Sequence, residues 1–265
     1  MIVAGCDIGS LTGKAVIMDR DGILSSSVIP VKGRPADCAK AVMARAMEEA
    51  GITGEDISFC VGTGYGRKNI PFADEEESEI SCHARGAVWQ NPGIRTIIDI
   101  GGQDSKAIKV DGSGTVLQYV YNDKCASGTG RFLEIIAGTL ELSLDELGDI
   151  SARSEKVLNL SNQCVVFAET EIISLLNEGV YIPDIVQALH RAVAGRVAAL
   201  ARGIVVEPET TMTGGVARNI GMFRALESVL GCELACLERP QINGAVGAAL
   251  FALERVSDSI KPGRA

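Results

Sequence analysis

The segment Ile2-Val-Ala-Gly-Cys-Asp-Ile-Gly-Ser-Leu-Thr-Gly-Lys14 is the key to the architecture of this chain, because its pattern returns in Thr96-Ile-Ile-Asp-Ile-Gly-Gly-Gln-Asp104. In both places a short apolar run ends in Asp-x-Gly and a polar, glycine-rich loop. A strand-like segment follows each loop, and an Asp-Gly turn at residues 21–22 or 111–112 leads into another strand. A pattern that starts over at an interval of about one domain indicates an internal duplication.

Strand and helix patterns alternate along the rest of the chain. Strands are predicted at residues 2–6, 15–19, 23–31, 57–62, 96–100, 105–110, 115–121, 209–212 and 233–237. Helices are predicted at residues 37–50, 75–89, 131–140, 144–151, 165–177, 182–205 and 243–256. Two meanders, each followed by helices, predict an α/β protein with two similar lobes that face each other across a cleft. The first lobe is expected to comprise residues 1–95 plus 243–265, and the second residues 96–242.

The composition is that of an ordinary globular protein, with 46% hydrophobic and 22% charged residues in a chain of 265. A formal net charge of −9 argues against nucleic acid or an anionic membrane as the main partner. No apolar run approaches the roughly 20 residues of a membrane span, and the start of the chain lacks the pattern of a signal peptide. We therefore expect a cytoplasmic protein.

Eight cysteines are many for a cytosolic chain of this size, and in a reducing compartment they indicate buried thiols or metal ligands. Cys125 stands before a small, glycine-rich turn and a helical pattern, and Cys164 stands directly before another helical run. A helix N-terminus stabilises a thiolate, so this pair predicts a metal site. The alternative is that both are core thiols, as we expect for Cys6, Cys38, Cys60 and Cys82. The pair Cys232 and Cys236 would share one face of a strand, which favours burial over ligation.

The two Asp-x-Gly loops have the composition of phosphate-binding loops. Their glycines, Gly9 and Gly101, let backbone N–H groups approach phosphate oxygens, and Asp7 and Asp99 can hold Mg²⁺ through water. Around them, further candidates for phosphate contact or for orienting an attacking water are Ser10, Thr12, Lys14, Gln103 and Asp104. Asp-x-Gly is also a common turn, but two copies together with the Gly214-Gly215 turn after a buried strand favour a nucleotide site.

Other nucleotide signatures do not fit. The segment from Gly9 to Lys14 is one residue too short for a P-loop, and Ala15 stands where Ser or Thr would be needed. The glycines of Gly62-Thr-Gly-Tyr-Gly66 have the wrong spacing for a dinucleotide fingerprint.

The loops at residues 7–14, 99–104 and 213–219 resemble the two phosphate motifs and the adenosine motif of the sugar kinase/Hsp70/actin (ASKHA) fold. A narrower resemblance is to the ATP-dependent activators of 2-hydroxyacyl-CoA dehydratases, within the BadF/BadG/BcrA/BcrD ATPase family. The motifs that carry it are Thr63-Gly-Tyr-Gly-Arg67, Ser81-Cys-His-Ala84, Cys164-Val-Val-Phe-Ala-Glu169 and residues 99–104, 122–131 and 213–219. The chain departs from the pattern slightly at Leu11 and in its extra pair Cys232 and Cys236.

The resemblance implies two RNase H-like lobes with a nucleotide cleft between them, and an ATPase that binds ATP or ADP with Mg²⁺. The implied nucleotide-binding residues are Asp7, Gly9, Ser10, Leu11, Thr12, Gly13, Lys14, Asp99, Gly101, Gly102, Gln103, Gly130, Glu134, Gly214, Gly215, Val216, Asn219, Gln241 and Gly244. The candidate catalytic groups are Asp7 and Gln103 from this set, together with Asp104. Glu134 is a candidate for a hydrogen bond to the ribose, with a solvated or capping role as the alternative.

The resemblance also implies that Cys125 and Cys164 are both ligands of a single [4Fe–4S] cluster. Two identical subunits share this cluster, and each contributes its own pair of cysteines. The implied function is reductive activation: ATP drives a low-potential electron onto an iron–sulfur CoA-ester dehydratase, with a ferredoxin or flavodoxin as donor. Alternatives are an ATPase component for a benzoyl-CoA-type or double-cubane-cluster reductase, or a cluster-free kinase of the same fold. His83 and His190 are expected to be packed or surface residues, and Tyr65 and Arg67 are left without a role.

Overall fold

The computed structural model describes residues 1–160 and 164–260, the last two by their backbone alone. The chain forms two compact units. The first comprises Met1–Gly93, Val110–Val116 and the chain from Ile242 onward. The second comprises Ile94–Lys109 and Leu117–Gln241. The segment Val110–Val116 thus groups with the first unit, whereas the lobes expected from the sequence assign it to the second.

The sheet of the first unit begins with the predicted meander. Strands β1 (Ile2–Ile8), β2 (Thr12–Met18) and β3 (Ile23–Pro30) pair antiparallel in sequence order. Strand β4 (Ile57–Thr63) lies parallel to β1 on its other side, and the short β5 (Glu75–Glu76) lies parallel to β4. Because β2 begins at Thr12, the loop between β1 and β2 is only three residues long.

Helices cover both faces of this sheet, so β1 is buried on both sides. Helix α1 (Pro35–Ala50) shares a core cluster with Ala4, Cys6 and Ile8, and the last helix, Asn243–Ile260, shares another with Val3. Alternate side chains of β1 therefore point to opposite helices, which explains its continuous apolar run. Helix α2 (Glu79–Gln90) packs against the same last helix.

The second unit repeats the strand order of the first. Strands β6 (Thr96–Ile100), β7 (Ser105–Val110) and β8 (Val116–Asn122) follow one another, and β9 (Thr210–Thr213) and β10 (Leu234–Ala235) continue the sheet on the other side of β6. Strand β9 runs parallel to β6, as β4 runs parallel to β1. This shared topology confirms the internal duplication.

The helices of the second unit pack around one long central helix. They are α3 (Gly130–Thr139), α4 (Leu147–Ser151), α5 (Val165–Asn177), α6 (Ile182–Ala201) and α7 (Ile220–Leu230), and the last helix of the chain is α8 (Asn243–Ile260). Helix α6 contacts each of the other four helices of its unit. Short 3-10 helices occupy Gly54–Asp56, Arg67–Asn69, Gly215–Arg218 and Pro240–Ile242.

Several sequence-based element boundaries are wrong; for example, the helix predicted at residues 182–205 ends at Ala201. Residues 75–76 form an edge strand because they pair with Val61 and Gly62, so the helix predicted from residue 75 begins only at Glu79. The predicted strand at residues 233–237 shortens to β10, since only Leu234 and Ala235 pair with β9. The predicted helix at residues 144–151 begins at Leu147, because Glu146 accepts hydrogen bonds from Ser143 in a preceding turn.

Among the described residues, none of the helices combines the length and apolar character required to traverse a bilayer.

The close packing of α8 against α2 yields a stability prediction. A Cβ at Gly247 would lie 1.8 Å from the Cys82 carbonyl oxygen, whereas a Cβ at Gly195, within α6, has no atom within 4 Å. We expect Gly247→Ala to lower the free energy of unfolding by about 1–3 kcal/mol through overpacking. Gly195→Ala is the matched control and should raise it by about 0.4–1 kcal/mol. Urea denaturation of both variants checks this, and equal effects would contradict the packing argument.

Candidate functional site

The first Asp-x-Gly motif forms a buried charged cluster in the first unit. Asp7 stands near the end of β1 and is the register partner of Lys14 on the antiparallel strand β2. The Lys14 ammonium lies 3.1 Å from Asp7 Oδ2, and both side chains are largely buried. Thr63, the parallel neighbour of Asp7 on β4, is also buried. The Lys14 ammonium therefore neutralises the charge of the Asp7 carboxylate. The contact between Lys14 and a phosphate stays a prediction.

The second motif builds the same cluster in the second unit. Asp99 on β6 is the register partner of Lys106 on β7, and their charged atoms lie 3.2 Å apart. Thr213, the parallel neighbour on β9, donates its hydroxyl to Asp99 Oδ1 at 2.8 Å. Lys106 also forms a short ion pair with Asp104. One lysine thus compensates two carboxylates of the predicted phosphate loop.

A glycine follows each threonine with the same backbone geometry. Gly64 and Gly214 both have φ +88°, a left-handed conformation that favours glycine. A Cβ at Gly64 would lie 2.6 Å from the Ile8 carbonyl oxygen, and one at Gly214 would lie 2.3 Å from that of Ile100. The duplication therefore extends to the turns after β4 and β9, so the Thr63-Gly64 loop is the counterpart of the predicted adenosine motif.

The two clusters differ in how their carboxylates are satisfied. Within the described part of the chain, Asp7 Oδ1 is buried and has no hydrogen-bond partner. Asp99 Oδ1, in contrast, accepts the Thr213 hydroxyl. Near Asp7, a Cβ at Gly244 would lie 3.1 Å from both Asp7 Oδ2 and His83 Nε2. The first cluster therefore has an acceptor that a hydrated cation or a water can use.

The second predicted phosphate loop is hydrogen-bonded to the start of α3. The Gly101 N–H donates to the Asp104 carbonyl at 2.9 Å, which closes the loop Gly101-Gly-Gln-Asp104. The N–H groups of Gly130 and Arg131 donate to the carbonyls of Gly101 and Gly102, at 2.9 and 2.8 Å. Gly130 thus joins the predicted loop, but its N–H is already used within the protein.

The remaining predicted nucleotide residues of the second unit gather around this contact. A Cβ at Gly130 would lie 3.2 Å from Val216 Cγ2, and one at Gly215 would lie 3.9 Å from Gln241 Nε2. Glu134 forms an exposed ion pair with Arg131, so its carboxylate has a partner other than a ribose. The structure thus groups Gly101, Gly130, Gly215, Val216 and Gln241 within one unit.

Asn219 acts as the N-cap of α7. Its Oδ1 accepts from the N–H groups of Gly221 and Met222, at 2.9 and 3.1 Å. Its Nδ2 lies 3.2 Å from Nε2 of His190 on α6. Since the amide Nδ2 can only donate, Nε2 accepts and the His190 proton lies on Nδ1. Asn219 therefore has a structural role in the predicted adenosine motif.

Four of the cysteines are core residues, as predicted. Cys6, Cys38, Cys60 and Cys82 are buried, and burial raises the pKa of each thiol, that of Cys60 to about 12. Such thiols stay protonated and are poor ligands.

Cys125 has the opposite environment. Its Sγ lies 3.0 Å from Ser127 Oγ, and the Arg196 Nε donates to that same oxygen at 3.2 Å. The hydrogen bonds with Ser127, followed by those with Arg196, lower the pKa of the Cys125 thiol. The Asn122 side chain donates to the Cys125 carbonyl at 2.7 Å and holds the loop. These contacts favour the thiolate that metal ligation requires.

Cys164 is the exposed N-cap of α5, and its carbonyl accepts the Ala168 N–H at 2.9 Å. This confirms that it opens a helix, while the preceding residues 161–163 lie outside the described residues. Val166 and Phe167, in the first turn after it, are 66% and 63% exposed. Cys232 is half-buried and Cys236 exposed, so the prediction that both are buried is wrong. The strand between them is too short to bury both.

Sequence reasoning missed several residues of this unit. Lys106 had a signal, because it follows Asp99 by seven positions, as Lys14 follows Asp7. His190 and Arg196 lie on α6, far along the chain from Asn219 and Ser127. No local pattern connects them, since helix packing alone brings them together.

The duplicated meander with paired Asp-x-Gly loops is the architecture of the sugar kinase/Hsp70/actin fold. A ROK family glucokinase from Streptomyces griseus shares this fold at a TM-score of 0.57 and 15% identity, covering 96% of this chain and 100% of that chain. The predicted fold class is thereby confirmed.

The model of the BadF/BadG/BcrA/BcrD ATPase family matches residues 4–252, so this chain belongs to that family and is an ATPase. It is 45% identical over 255 residues to the activator of lactoyl-CoA dehydratase from Anaerotignum propionicum, covering 96% of this chain and 98% of that protein. The solved activator of 2-hydroxyisocaproyl-CoA dehydratase from Clostridium difficile, with bound ADPNP, superposes with a TM-score of 0.95 at 43% identity over 100% of both chains.

A more distant relative has a different named function. It is one of the subunits of benzoyl-CoA reductase from Thauera aromatica, and it is 33% identical over 261 residues, covering 94% of this chain and 92% of that protein.

The buried His190 predicts acid sensitivity. Burial lowers the pKa of His190 from 6.5 to about 4, because desolvation disfavours the charged ring. Between these values the unfolded chain binds the proton and the folded one does not, so stability is lost as pH falls. At pH 5 this loss is about 2 kcal/mol relative to pH 7. Urea unfolding at both pH values checks it: His190→Gln should be less pH-sensitive than the wild type, and an unchanged pH dependence would contradict the assignment.

Proposed function

We propose that this ATPase is a reductive activator, which couples ATP binding and hydrolysis to one-electron transfer onto a 2-hydroxyacyl-CoA dehydratase or a related iron–sulfur enzyme. The observation that carries the proposal is the connection within the second unit between the phosphate loop and the cysteine segment. The carbonyls of Gly101 and Gly102 hold the first N–H groups of α3, and Cys125 stands five residues before that helix. Relatives at 43–45% identity are named activators of such dehydratases, which supports the same role here.

The residues of the chain fit an iron–sulfur cluster. We propose that Cys125 and Cys164 ligate a [4Fe–4S] cluster and that a second, identical chain contributes the other two thiolates. Cys125 has a lowered thiol pKa and Cys164 is exposed at a helix N-terminus, whereas the core cysteines have raised pKa values. Such a cluster supplies a one-electron carrier of low potential when it is bound.

The first turns of α5 support a homodimer. Val166 and Phe167 expose most of their apolar side chains next to Cys164, and Ile173 is 45% exposed two turns further along. Apolar side chains clustered at a helix surface are stabilised when a partner covers them. A second copy of the chain would cover this face and bring a second pair of cysteines with it.

The two charged clusters have separate proposed roles in binding ATP and Mg²⁺. We propose that Asp7 holds a hydrated Mg²⁺, since its Oδ1 is a buried acceptor without a partner in the described residues. The N–H groups of Gly9 and Gly101 donate to carbonyls within their own loops, so the proposed phosphate donors are the backbone N–H groups of Ser10 and Leu11 and of Gly102 and Gln103. The Lys106 ammonium compensates Asp99 and Asp104 within the protein, which keeps negative charge from building up at the second loop.

Hydrolysis needs a group that orients the attacking water. Gln103 and Asp104 follow the two glycines of the second loop, and Asp104 is ion-paired with Lys106. This ion pair already engages the Asp104 carboxylate within the protein. We therefore assign the orienting role to the exposed side chain of Gln103, with Asp104 holding the loop closed through its carbonyl.

In the proposed mechanism, ATP is a conformational effector. A shift of the Gly101-Gly102 carbonyls on nucleotide binding displaces the start of α3 and the Cys125 segment that leads into it. Such a displacement changes the surface offered to a partner protein. The proposed acceptor is an iron–sulfur CoA-ester dehydratase, and the proposed donor is a small ferredoxin or flavodoxin.

The relative that belongs to a benzoyl-CoA reductase favours one alternative within the same class. In that case the chain is the ATPase component of a benzoyl-CoA-type or double-cubane-cluster reductase. Anaerobic co-purification distinguishes the two, because the captured partner is a dehydratase in one case and a reductase in the other. A colourless monomer that consumes ATP only with a small hydroxylated metabolite would indicate a kinase instead.

The cluster assignment predicts iron stoichiometry. Anaerobically purified protein should be a brown, oxygen-sensitive dimer with about two irons per chain. Cys125→Ser and Cys164→Ser should each lose most of the iron, because a cluster needs all its thiolates, and should still bind ATP. Cys236→Ser is the matched control, since this thiol is also exposed. Iron analysis with gel filtration checks the prediction, and full iron in Cys125→Ser refutes the assignment.

The water-orienting role of Gln103 predicts a selective kinetic defect. Gln103→Ala should lower kcat for ATP hydrolysis by about 10²-fold, the usual effect of removing one positioned polar group. Binding of a non-hydrolysable ATP analogue should stay within about threefold of the wild-type Kd, a free-energy change of about 0.7 kcal/mol. Gln118→Ala, on the exposed side of β8, is the control and should leave both values unchanged. Equal kcat in the two variants would remove Gln103 from the mechanism.

A further inference from the structure

We infer that Arg196 and Ser127 form a hydrogen-bond relay to the Cys125 sulfur, and that Arg196 is the positioning residue that sets the electron density of this ligand. The inference rests on the proposed function and deepens it. It concerns two side chains that no motif of the sequence links, one in the loop before α3 and one on α6.

The direction of the relay follows from the donors available. A guanidinium can only donate hydrogen bonds, so the Arg196 Nε–H occupies an acceptor position on Ser127 Oγ, at 3.2 Å. The Ser127 proton is then directed to the sulfur, which lies 3.0 Å from the same oxygen. The cationic donor polarises the hydroxyl and makes it a stronger donor to Cys125.

The backbone holds the relay in place. Gly128 has φ +139°, and a Cβ there would lie 3.2 Å from Cβ of Arg196. The loop therefore lies directly on α6 at the level of Arg196, and only a residue without a side chain permits this approach. Ser127 is buried, so water does not compete for its hydroxyl. The geometry is consequently built into the packing of the loop against the helix.

The consequence for electron transfer concerns the ligand sulfur. A donor to a thiolate ligand withdraws electron density, and hydrogen bonds to the sulfurs are among the main determinants of the potential of an iron–sulfur cluster. The relay therefore stabilises the reduced form, in which the thiolates carry more negative charge. Without it, the protein is harder to reduce by its donor.

The test compares variants of the anaerobically purified holoprotein by redox titration with spectroscopic detection of the reduced cluster. Ser127→Ala and Arg196→Gln should each lower the ratio of reduced to oxidised protein at a fixed applied potential by about tenfold, or ~59 mV for a one-electron couple. The double variant should shift by less than the sum of the two single shifts, because Arg196 acts partly through the Ser127 hydroxyl and partly on the Cys125 sulfur directly. Iron content is measured in parallel as a readout that does not depend on activity.

Arg202→Gln is the control, because Arg202 is an exposed arginine at the C-terminal end of the same helix. It removes one positive charge without touching the relay and should leave the potential unchanged. If Ser127→Ala fails to retain iron, Arg196→Gln decides alone, since Arg196 is exposed and its replacement leaves the core intact. Variants with normal iron and an unchanged potential, or additive shifts in the double variant, overturn the relay. Wild-type protein without iron overturns the proposed function and the relay with it.

Discussion

Two backbone hydrogen bonds connect the chemistry of this protein: those from the N–H groups of Gly130 and Arg131 to the carbonyls of Gly101 and Gly102. The first N–H groups of a helix have no partner within the helix, so α3 needs acceptors at its start. The phosphate loop supplies them. Any rearrangement of that loop must therefore either carry the start of α3 with it or break these bonds. The Cys125 segment immediately precedes this point, so these bonds are the proposed physical route from a bound nucleotide to the Cys125 sulfur.

The two units share one arrangement of charged and polar residues, but the hydrogen bonds within that arrangement differ between them. An aspartate on the first strand, a lysine from its antiparallel neighbour and a threonine-glycine pair from its parallel neighbour occur in each. In the second unit Thr213 satisfies Asp99. In the first unit Asp7 keeps an unpartnered buried oxygen among the described residues. A polar atom of this kind costs folding free energy, which is consistent with a ligand-binding role.

Helix α6 organises the second unit through polar side chains as well as through its apolar faces. Asp184 accepts hydrogen bonds from Ser154 and from the N–H groups of Glu155 and Lys156. His190 contacts the cap of α7, and Arg196 contacts the hydroxyl beside Cys125. These three side chains follow one another along the same helix, α6. Helix α6 thus contacts three segments: the predicted adenosine motif at Asn219, the loop that contains Cys125 and Ser127, and the segment after α4.

Local patterns in the chain were sufficient to establish the fold class, the strand order of each meander and the core cysteines, because hydrophobic periodicity and Asp-Gly turns are local signals. They also identified the helix that begins after Cys164. They failed at residues 75–76, where pairing with β4 overrides the helical pattern, and at Cys236, where too few residues pair to bury the thiol. The spacing of Lys106 from Asp99 carried the information needed to predict their ion pair, since the same spacing separates Lys14 from Asp7.

The partners of the functional side chains, in contrast, depend on the tertiary structure. Whether a carboxylate is satisfied, as in Asp99, or left with a buried acceptor, as in Asp7, depends on neighbours from other strands. The Ser127–Arg196 contact joins residues 69 positions apart, and a sequence pattern does not encode which face of a long helix meets which loop. The physical reason is that packing is a collective property of the whole core, whereas sequence patterns report the preferences of short segments.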